Sequence, residues 1–388
     1  SICGLTCDKR NQFDGIHYQG AEVNSDELSD IINSFLKSVS DGVPALTMSN
    51  RDNCYIESGQ IDITEFDVYR VLSHLNVSKS SLDSILNNKV LRSLSDILAA
   101  PICSLINNSL MQGVVPVQWK VSRLSLIPKI PTVRDVEKDL RPIAITCPIS
   151  KVAEVFVARL FDEFYDDSKD VHQYGSVTGR STTLALVKLF HILHDASDDN
   201  NNIIRILFVD FSRAFDVINH NVIERKLVEN KSPAVLSNWL LSFLNNRTQF
   251  VRIGDKISES VVVNAGAPQG TRAGPNCFKL LISDLTFFFS FVKYVDDVSV
   301  LSISHDFNDD SLQRALCDLH SWCDLNGMHL NTKKTKEMIL KFSKRVRSDL
   351  CASLVYDNAL IDRVAEFKIL GVIMSSELTW SRHIEYIL

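Results

Sequence analysis

Apolar and polar positions along this chain change period repeatedly, and each change marks a predicted element. Residues 1 to about 60 are mostly polar and predict one helix, opened by "NSDEL" with Asn24 as N-cap and Glu27 three positions on. Residues 64–112 repeat apolar positions at helical spacing and predict two or three helices ending near Gly113. "VSRLSLIPK" and "RPIAIT" alternate like strands, whereas "ISKVAEVFVARLFDEF" and residues 184–193 after "GRSTT" return to the helical period. "IIRILFVD" reads as an apolar strand. Helices carrying Trp239 and Leu244 on their apolar faces follow, then strands "QFVRIG" and "SVVVNAG" and a Gly/Pro loop that opens a helix. "FVKYVDDVSVL" reads as a tight hairpin, residues 309–325 as an amphipathic helix, and "EMILKF" and "FKILGVIM" as short strands. No internal repeat or low-complexity tract interrupts the series. Strands and helices mix without regular βαβ alternation, which predicts an α+β fold.

Composition adds little to this picture. The 388 residues suffice for two or three lobes, and 45% hydrophobic with 23% charged residues describes an ordinary globular protein. A net charge of −6 does not announce a nucleic-acid binder, but residues 333–347 carry seven Lys or Arg against one acid, and residues 120–141 are also basic on balance. Nine cysteines, an odd number spread along the chain, predict no disulfide framework and a reducing compartment, the cytoplasm or nucleus. "CDLHSWC" (Cys317, His320, Cys323) has no second ligand pair to complete a metal site, and "HILH" (His191, His194) is equally plain. The apolar run "LTFFFSFV" is too short to cross a bilayer, so no membrane partner is expected. The first residue is Ser, and the chain reads as a piece of a longer product.

The chemistry concentrates in carboxylates. Asp-Asp occurs at 166–167, 198–199, 296–297 and 309–310, and only Asp296–Asp297 has strand-forming residues on both sides. A hairpin turn alone would account for Asp there. A second carboxylate changes the balance: "ILFVDFSRAFDVINH" delivers Asp210 at the end of an apolar strand. If that strand lies beside the hairpin, three carboxylates meet at one sheet edge and repel unless divalent cations neutralise them. Hard oxygen donors on a half-open site suit Mg²⁺, and two such ions serve an in-line phosphoryl displacement.

The ordered set of motifs resembles the reverse transcriptase domain of non-LTR (LINE-like) retrotransposons. "FVDFSRAFDVINH", "GAPQGTRAGP", "YVDD", "MHLNTKKTKEM" and "FKILGVIMSSELTWSRHI" are similar to the palm motifs in order, and "VPVQWKVSRLSLIPK", "LRPIAIT" and "QYGSVTGRSTT" to the finger motifs, over roughly residues 62–388. The resemblance implies a right-hand polymerase fold with fingers and palm, the thumb mostly absent, the palm an antiparallel sheet packed on helices. Its divisions would be an extension over 1–60, fingers with the start of the palm over 61–200, palm over 201–375 and the start of a thumb over 376–388. It implies an RNA-directed DNA polymerase that adds dNTPs to a DNA primer on an RNA template, using two Mg²⁺ ions, with Mn²⁺ as the alternative. Asp210 and Asp296 would be the principal metal ligands and Asp297 their close partner. Asp216 would be structural, and Phe215 the ring under the sugar that excludes a 2′-hydroxyl. Gln269 and Gly270 would lie near the templating base and incoming nucleotide, Lys129 and Arg141 would grip the triphosphate, and Lys334, with Lys333 beside it, would protonate the leaving pyrophosphate.

Two departures predict a weaker finger grip: "KSSLDSI" keeps Asp83 without the family's surrounding prolines and glycines, and "SVTGRST" lacks basic residues before Gly-Arg-Ser. Two rival readings use the same fold: a catalytically silent nucleic-acid-binding relic, and an RNA-dependent RNA polymerase, against which "YVDD" and Phe215 both argue. Oligomeric state is not legible.

Overall fold

The computed structural model describes residues 16–18, 21–24, 27–47, 63–82, 85–165, 170–199, 201–340 and 351–388. Asp83 and the basic residues 341–347 lie outside them. The chain forms two compact units that interleave along the sequence: Ser1–Tyr165 with Phe215–Leu280, and Asp166–Ala214 with Leu281–Leu388. This division crosses the expected boundary at 200, because strand pairing joins residues 203–209 to residues 297–304 and leaves 215–280 with the N-terminal part.

The first unit holds helices Glu65–Ser73, Asn88–Ser93 and Ser95–Gln112, close to the predicted span. Thr64 and Asp67 form a reciprocal capping box on the first, and Gly113, left-handed at φ 62°, closes the third. One expected cap is displaced. The N-terminal helix is Leu28–Ser38, four residues beyond Asn24, whose carbonyl accepts from the Glu27 N–H. Strands Val121–Pro128 and Leu140–Thr146 pair antiparallel, and the former pairs parallel with Arg247–Ile253. Leu28, Ile32 and Phe35 of the N-terminal helix pack with Leu124, Ala144 and Val251 of this sheet. Helix Ala234–Leu244 buries Trp239, Leu240, Phe243 and Leu244 completely or nearly so, more than the single apolar face expected.

The second unit is built on a sheet whose order among the described residues is Asp362–Arg363, Lys336–Leu340, Ile203–Val209, Asp297–Ser304, Ser290–Tyr294. It is antiparallel except at the edge, where Lys336–Leu340 and Asp362–Arg363 run parallel, a correction to the all-antiparallel expectation. All seven residues of the central strand Ile203–Val209 are buried. Ile204, Ile206 and Phe208 pack with Ala185, Leu189 and Leu193 of helix Thr182–Ser197. On the alternate positions, Arg205 reaches the buried Glu337, which also holds Arg363. "FKILGVIM" resolves into a hairpin, Glu366–Ile369 and Val372–Ser375, turning at Leu370–Gly371.

Candidate active site

The carboxylates come together in the second unit through strand register. Val209 pairs with Val298, so Asp210 and Asp297 each stand one step past the last matched pair of two adjacent antiparallel strands. Opposite residues of such a pair share a face. Both line a cavity of about 380 Å³ with Ser299, Lys333, Lys334, Lys336, Phe367 and Lys368. Asp296 is not among its lining residues; it sits beside them in the hairpin turn.

Asp210 is held by its backbone. Its N–H donates to Thr335 Oγ1 (3.2 Å) and its carbonyl accepts from the Asn331 N–H (2.8 Å), so residues 331–335 fix the end of the central strand. Its Oδ2 is buried and accepts no hydrogen bond, and the Lys334 ammonium stands 3.7 Å from it. Burial pushes the Asp210 carboxyl above its ordinary value, against the opposing pull of Lys334 and of Asn331. Asp297 is crowded in the same way although one flank is open. Burial first, then the charges of Asp296 and Asp210, push its carboxyl up to about 6.

The turn that carries Asp296 is unusual. Tyr294 pairs with Asp297, which leaves Val295 and Asp296 as a two-residue loop, and Val295 has φ 56°. A positive φ at the first central position belongs to the type II′ turn, where glycine is preferred. A β-branched residue there stores about 1–3 kcal/mol of backbone strain.

Among the described residues no three His, Cys, Asp or Glu side chains are already gathered as a ready-made metal cage. The donor set nonetheless fits Mg²⁺. A buried carboxylate oxygen without a hydrogen bond, beside Asp297, whose pKa the charges of Asp296 and Asp210 help to raise, is short of positive charge, and Mg²⁺ binds through one or two carboxylates plus substrate phosphates. A pH prediction follows. The folded Asp297 carboxyl titrates near 6 against an ordinary 3.8, so between those values the folded chain binds more protons than the unfolded one. Its contribution to stability is therefore present at low pH and lost as pH rises through 6. Mg²⁺ offsets the loss only where the carboxylates are ionised. Thermal melts should show a larger stabilisation by Mg²⁺ at pH 7.5 than at pH 5; equal shifts would contradict the assignment.

The remaining expected residues lie in the first unit. Phe215 stacks on Phe278 with ring centres 4.9 Å apart, and its carbonyl accepts from the Ala267 N–H. Gln269 Nε2 donates to Asp216 Oδ1 (3.0 Å). Gly270 has φ 103°, and a Cβ there would stand 3.1 Å from Ile143 Cγ2 and 3.2 Å from the Ala144 carbonyl. The loop therefore needs glycine to lie against strand Leu140–Thr146, whose Ala144 N–H donates to the Gln269 carbonyl. Arg141 is exposed on that strand, opposite Ile127. Lys129 donates to the Lys138 carbonyl (2.7 Å), so in this conformation its ammonium is engaged at the hairpin's own end. Pro275 lies in the first turn of helix Ala273–Ile282, where its missing N–H costs no helical bond.

Sequence reasoning missed several positioning groups. Glu154, fully buried, accepts from the Arg272 and Ala273 N–H groups and caps that helix, and burial raises its carboxyl pKa. His220 bonds the Gly266 carbonyl (2.7 Å), and burial pushes its imidazolium pKa down to about 4. Gln173 bonds the Val295 turn. Glu154 lies in an apolar helical run and His220 in a polar helix start, so neither gave a local signal; Gln173 stood in a quoted motif without a partner to name. Cys317 and Cys323 behave as ordinary helix residues: the former is exposed, and burial pushes the Cys323 thiol up to about 12.

The profile of the family described as "Reverse transcriptase (RNA-dependent DNA polymerase)" matches residues 127–374. The chain is 26% identical over 335 residues to a probable RNA-directed DNA polymerase from transposon BS of Drosophila melanogaster, covering 82% of this chain and 36% of that protein. It is 25% identical over 337 residues to the RNA-directed DNA polymerase from mobile element jockey of the same species, covering 83% and 36%. A Pol polyprotein from the type-1 retrotransposable element R2 of Popillia japonica is 23% identical over 282 residues, covering 68% and 38%. The chain thus spans little more than a third of these relatives. An apo telomerase from Candida tropicalis superposes with a TM-score of 0.48 at 12% identity, over 74% of this chain and 53% of that one. This chain belongs to the reverse transcriptase family, and its α+β fold carries the family's palm motifs in order. The family uses divalent metal ions and copies nucleic-acid templates.

Proposed function

We propose that this chain is the polymerase portion of a non-LTR retroelement: an RNA-directed DNA polymerase that adds dNTPs to the 3′-hydroxyl of a DNA primer on an RNA template. The observation that carries the reading is the meeting of Asp210, Asp297 and Lys334 at one cavity, with Asp210 Oδ2 left without a hydrogen bond. Asp210, Asp296 and Asp297 would hold two Mg²⁺ ions, with Mn²⁺ as the alternative. Such ions, when bound, activate the attacking oxygen and stabilise the leaving one. Lys334 Nζ stands 3.7 Å from Asp210 Oδ2 and would serve as the general acid for the leaving pyrophosphate. Phe215 would exclude the 2′-hydroxyl, Gln269 and Gly270 would support the nascent base pair, and Arg141 and Lys129 would contact the triphosphate, Lys129 after leaving the Lys138 carbonyl. Fingers over 61–200, palm over 201–375 and the start of a thumb over 376–388 remain the working division. Work in the reducing cytoplasm or nucleus would keep thiols such as those of Cys103, Cys277 and Cys351 free.

Primer extension on an RNA template, with dNTPs and rNTPs compared, tests the reading. Mg²⁺-dependent dNTP incorporation is expected, and Phe215→Val should lower the preference for dNTPs over rNTPs by about 10²-fold or more, the scale at which a pocket separates substrates that differ by one group. Salt-sensitive RNA binding with no extension at any metal concentration would establish the silent relic instead, and a preference for rNTPs the RNA polymerase.

A further inference from the structure

We infer that Gln173 is a positioning residue for the hairpin turn at Val295–Asp296, and that it sets the geometry in which the Asp296–Asp297 pair meets divalent cations. The inference rests on the metal reading proposed above and assigns a role to a residue outside the carboxylate set.

Gln173 is 1% exposed. Its Oε1 accepts from the Val295 N–H (2.8 Å) and from the Gly175 N–H (2.8 Å), and its Nε2 donates to the Val295 carbonyl (3.4 Å). One neutral amide therefore engages both backbone polar groups of the left-handed residue. Water satisfies such groups at an ordinary hairpin tip, where no buried side chain is needed. The Asp357–Asn358 turn of the same unit meets the same demand with residues that tolerate positive φ. Val295 does not tolerate it, so the turn depends on its surroundings.

Gln173 is itself held in place. Residues 172–174 run beside Lys293: the Lys293 N–H donates to the His172 carbonyl and the Tyr174 N–H to the Lys293 carbonyl, both at 2.8 Å. The buried Lys293 ammonium pairs with the buried Asp170 at 2.8 Å. Arg180 Nη1 donates to the carbonyls of Asp170 and Gln173. Gly175 completes the fit, since a Cβ there would stand 2.4 Å from Val295 Cγ2 and 2.5 Å from the Val295 nitrogen. The 172–175 segment is thus pressed against the turn with no space between. A neutral amide is the suitable clamp, because a carboxylate in its place would add charge beside Asp296 and Asp297.

The test uses Mn²⁺ alone, its binding read by electron paramagnetic resonance, together with the Mg²⁺ dependence of primer extension. Groups that orient metal ligands are worth about 10–100-fold in metal affinity. Gln173→Met is expected to weaken Mn²⁺ binding by that factor and to raise the Mg²⁺ needed for half-maximal extension in parallel, with RNA affinity unchanged. Adding Val295→Gly should recover most of the loss, because glycine adopts the turn without a clamp. A folded Gln173→Met chain with unaltered Mn²⁺ affinity, or a double variant without recovery, overturns the role. Should Gln173→Met fail to fold, amide exchange in the unsubstituted protein decides: the Val295 N–H should be protected, and exchange at the rate of exposed loops would overturn the clamp. Asp296→Asn separates the two layers. Undiminished Mn²⁺ binding in that variant sinks the metal reading, and the positioning role with it, whatever Gln173 does.

Discussion

Asp210→Asn is expected to cut primer extension by about 10³-fold or more while leaving the protein as stable as before, or more so. The rate loss follows from removing a principal anionic ligand, since bound cations supply several kcal/mol of transition-state stabilisation and each 1.36 kcal/mol is about tenfold in rate. The stability sign follows from the surroundings of the group. Burial raises the Asp210 carboxyl pKa, and Asp210 in turn raises that of Asp297, so the ionised form is unfavourable in the folded chain without a cation. An amide of the same shape removes that repulsion and keeps the backbone bonds to Thr335 and Asn331. Primer extension and thermal melting in metal-free buffer check the pair of outcomes together. A chain that loses both activity and several degrees of melting temperature would show that Asp210 serves the fold rather than the chemistry.

The largest stability effect is expected from Glu337→Ala. Glu337 is 0% exposed and Arg205 3%, and the carboxylate bonds Arg205 Nε at 2.7 Å and Arg363 Nε at 2.9 Å. Removing it leaves two guanidinium groups facing each other with their common counter-ion gone. Breaking a buried pair in this way costs about 3–5 kcal/mol. In a unit of this size each kcal/mol is worth about 2–4 °C, so the midpoint should fall by roughly 10 °C. Lys336–Leu340 is the strand that suffers, and it directly follows Thr335, the acceptor for the Asp210 N–H. Metal binding should therefore weaken along with stability. A melting temperature within about 2 °C of the original would refute the account. Replacing Arg205, Glu337 and Arg363 together by apolar residues should be far milder than Glu337→Ala, because no charge is then left unpaired.

Much of this was readable from residue order. The period changes located the longer helices and strands but not two-residue strands such as Lys256–Ile257 and Asp362–Arg363, since side-chain periodicity follows from backbone geometry and needs several residues to show. The apolar "IIRILFV" announced a strand, and Asp210 at its end announced a carboxylate at a sheet edge. Asn24 lies four residues before the first helical residue, and Glu27 stands at the cap position instead. The parallel edge pair and the interleaved units were invisible, since both arise from contacts between distant segments. The site divided in the same way. Asp210, Asp296, Asp297 and Lys334 were named from motifs, whereas Gln173, Glu154, Thr335 and His220 act through backbone groups far away in sequence.

The amino-acid order alone determined which residue types were present for chemistry and the local element each would ride on, because propensity and periodicity act over a few residues. Which of them meet was decided only by tertiary structure: the register of Val209 on Val298, the Lys334 ammonium beside Asp210, the side chain that holds Val295 in a conformation valine avoids. Those are consequences of burial and of hydrogen bonds between segments up to about 125 residues apart, and no short window of sequence contains both partners.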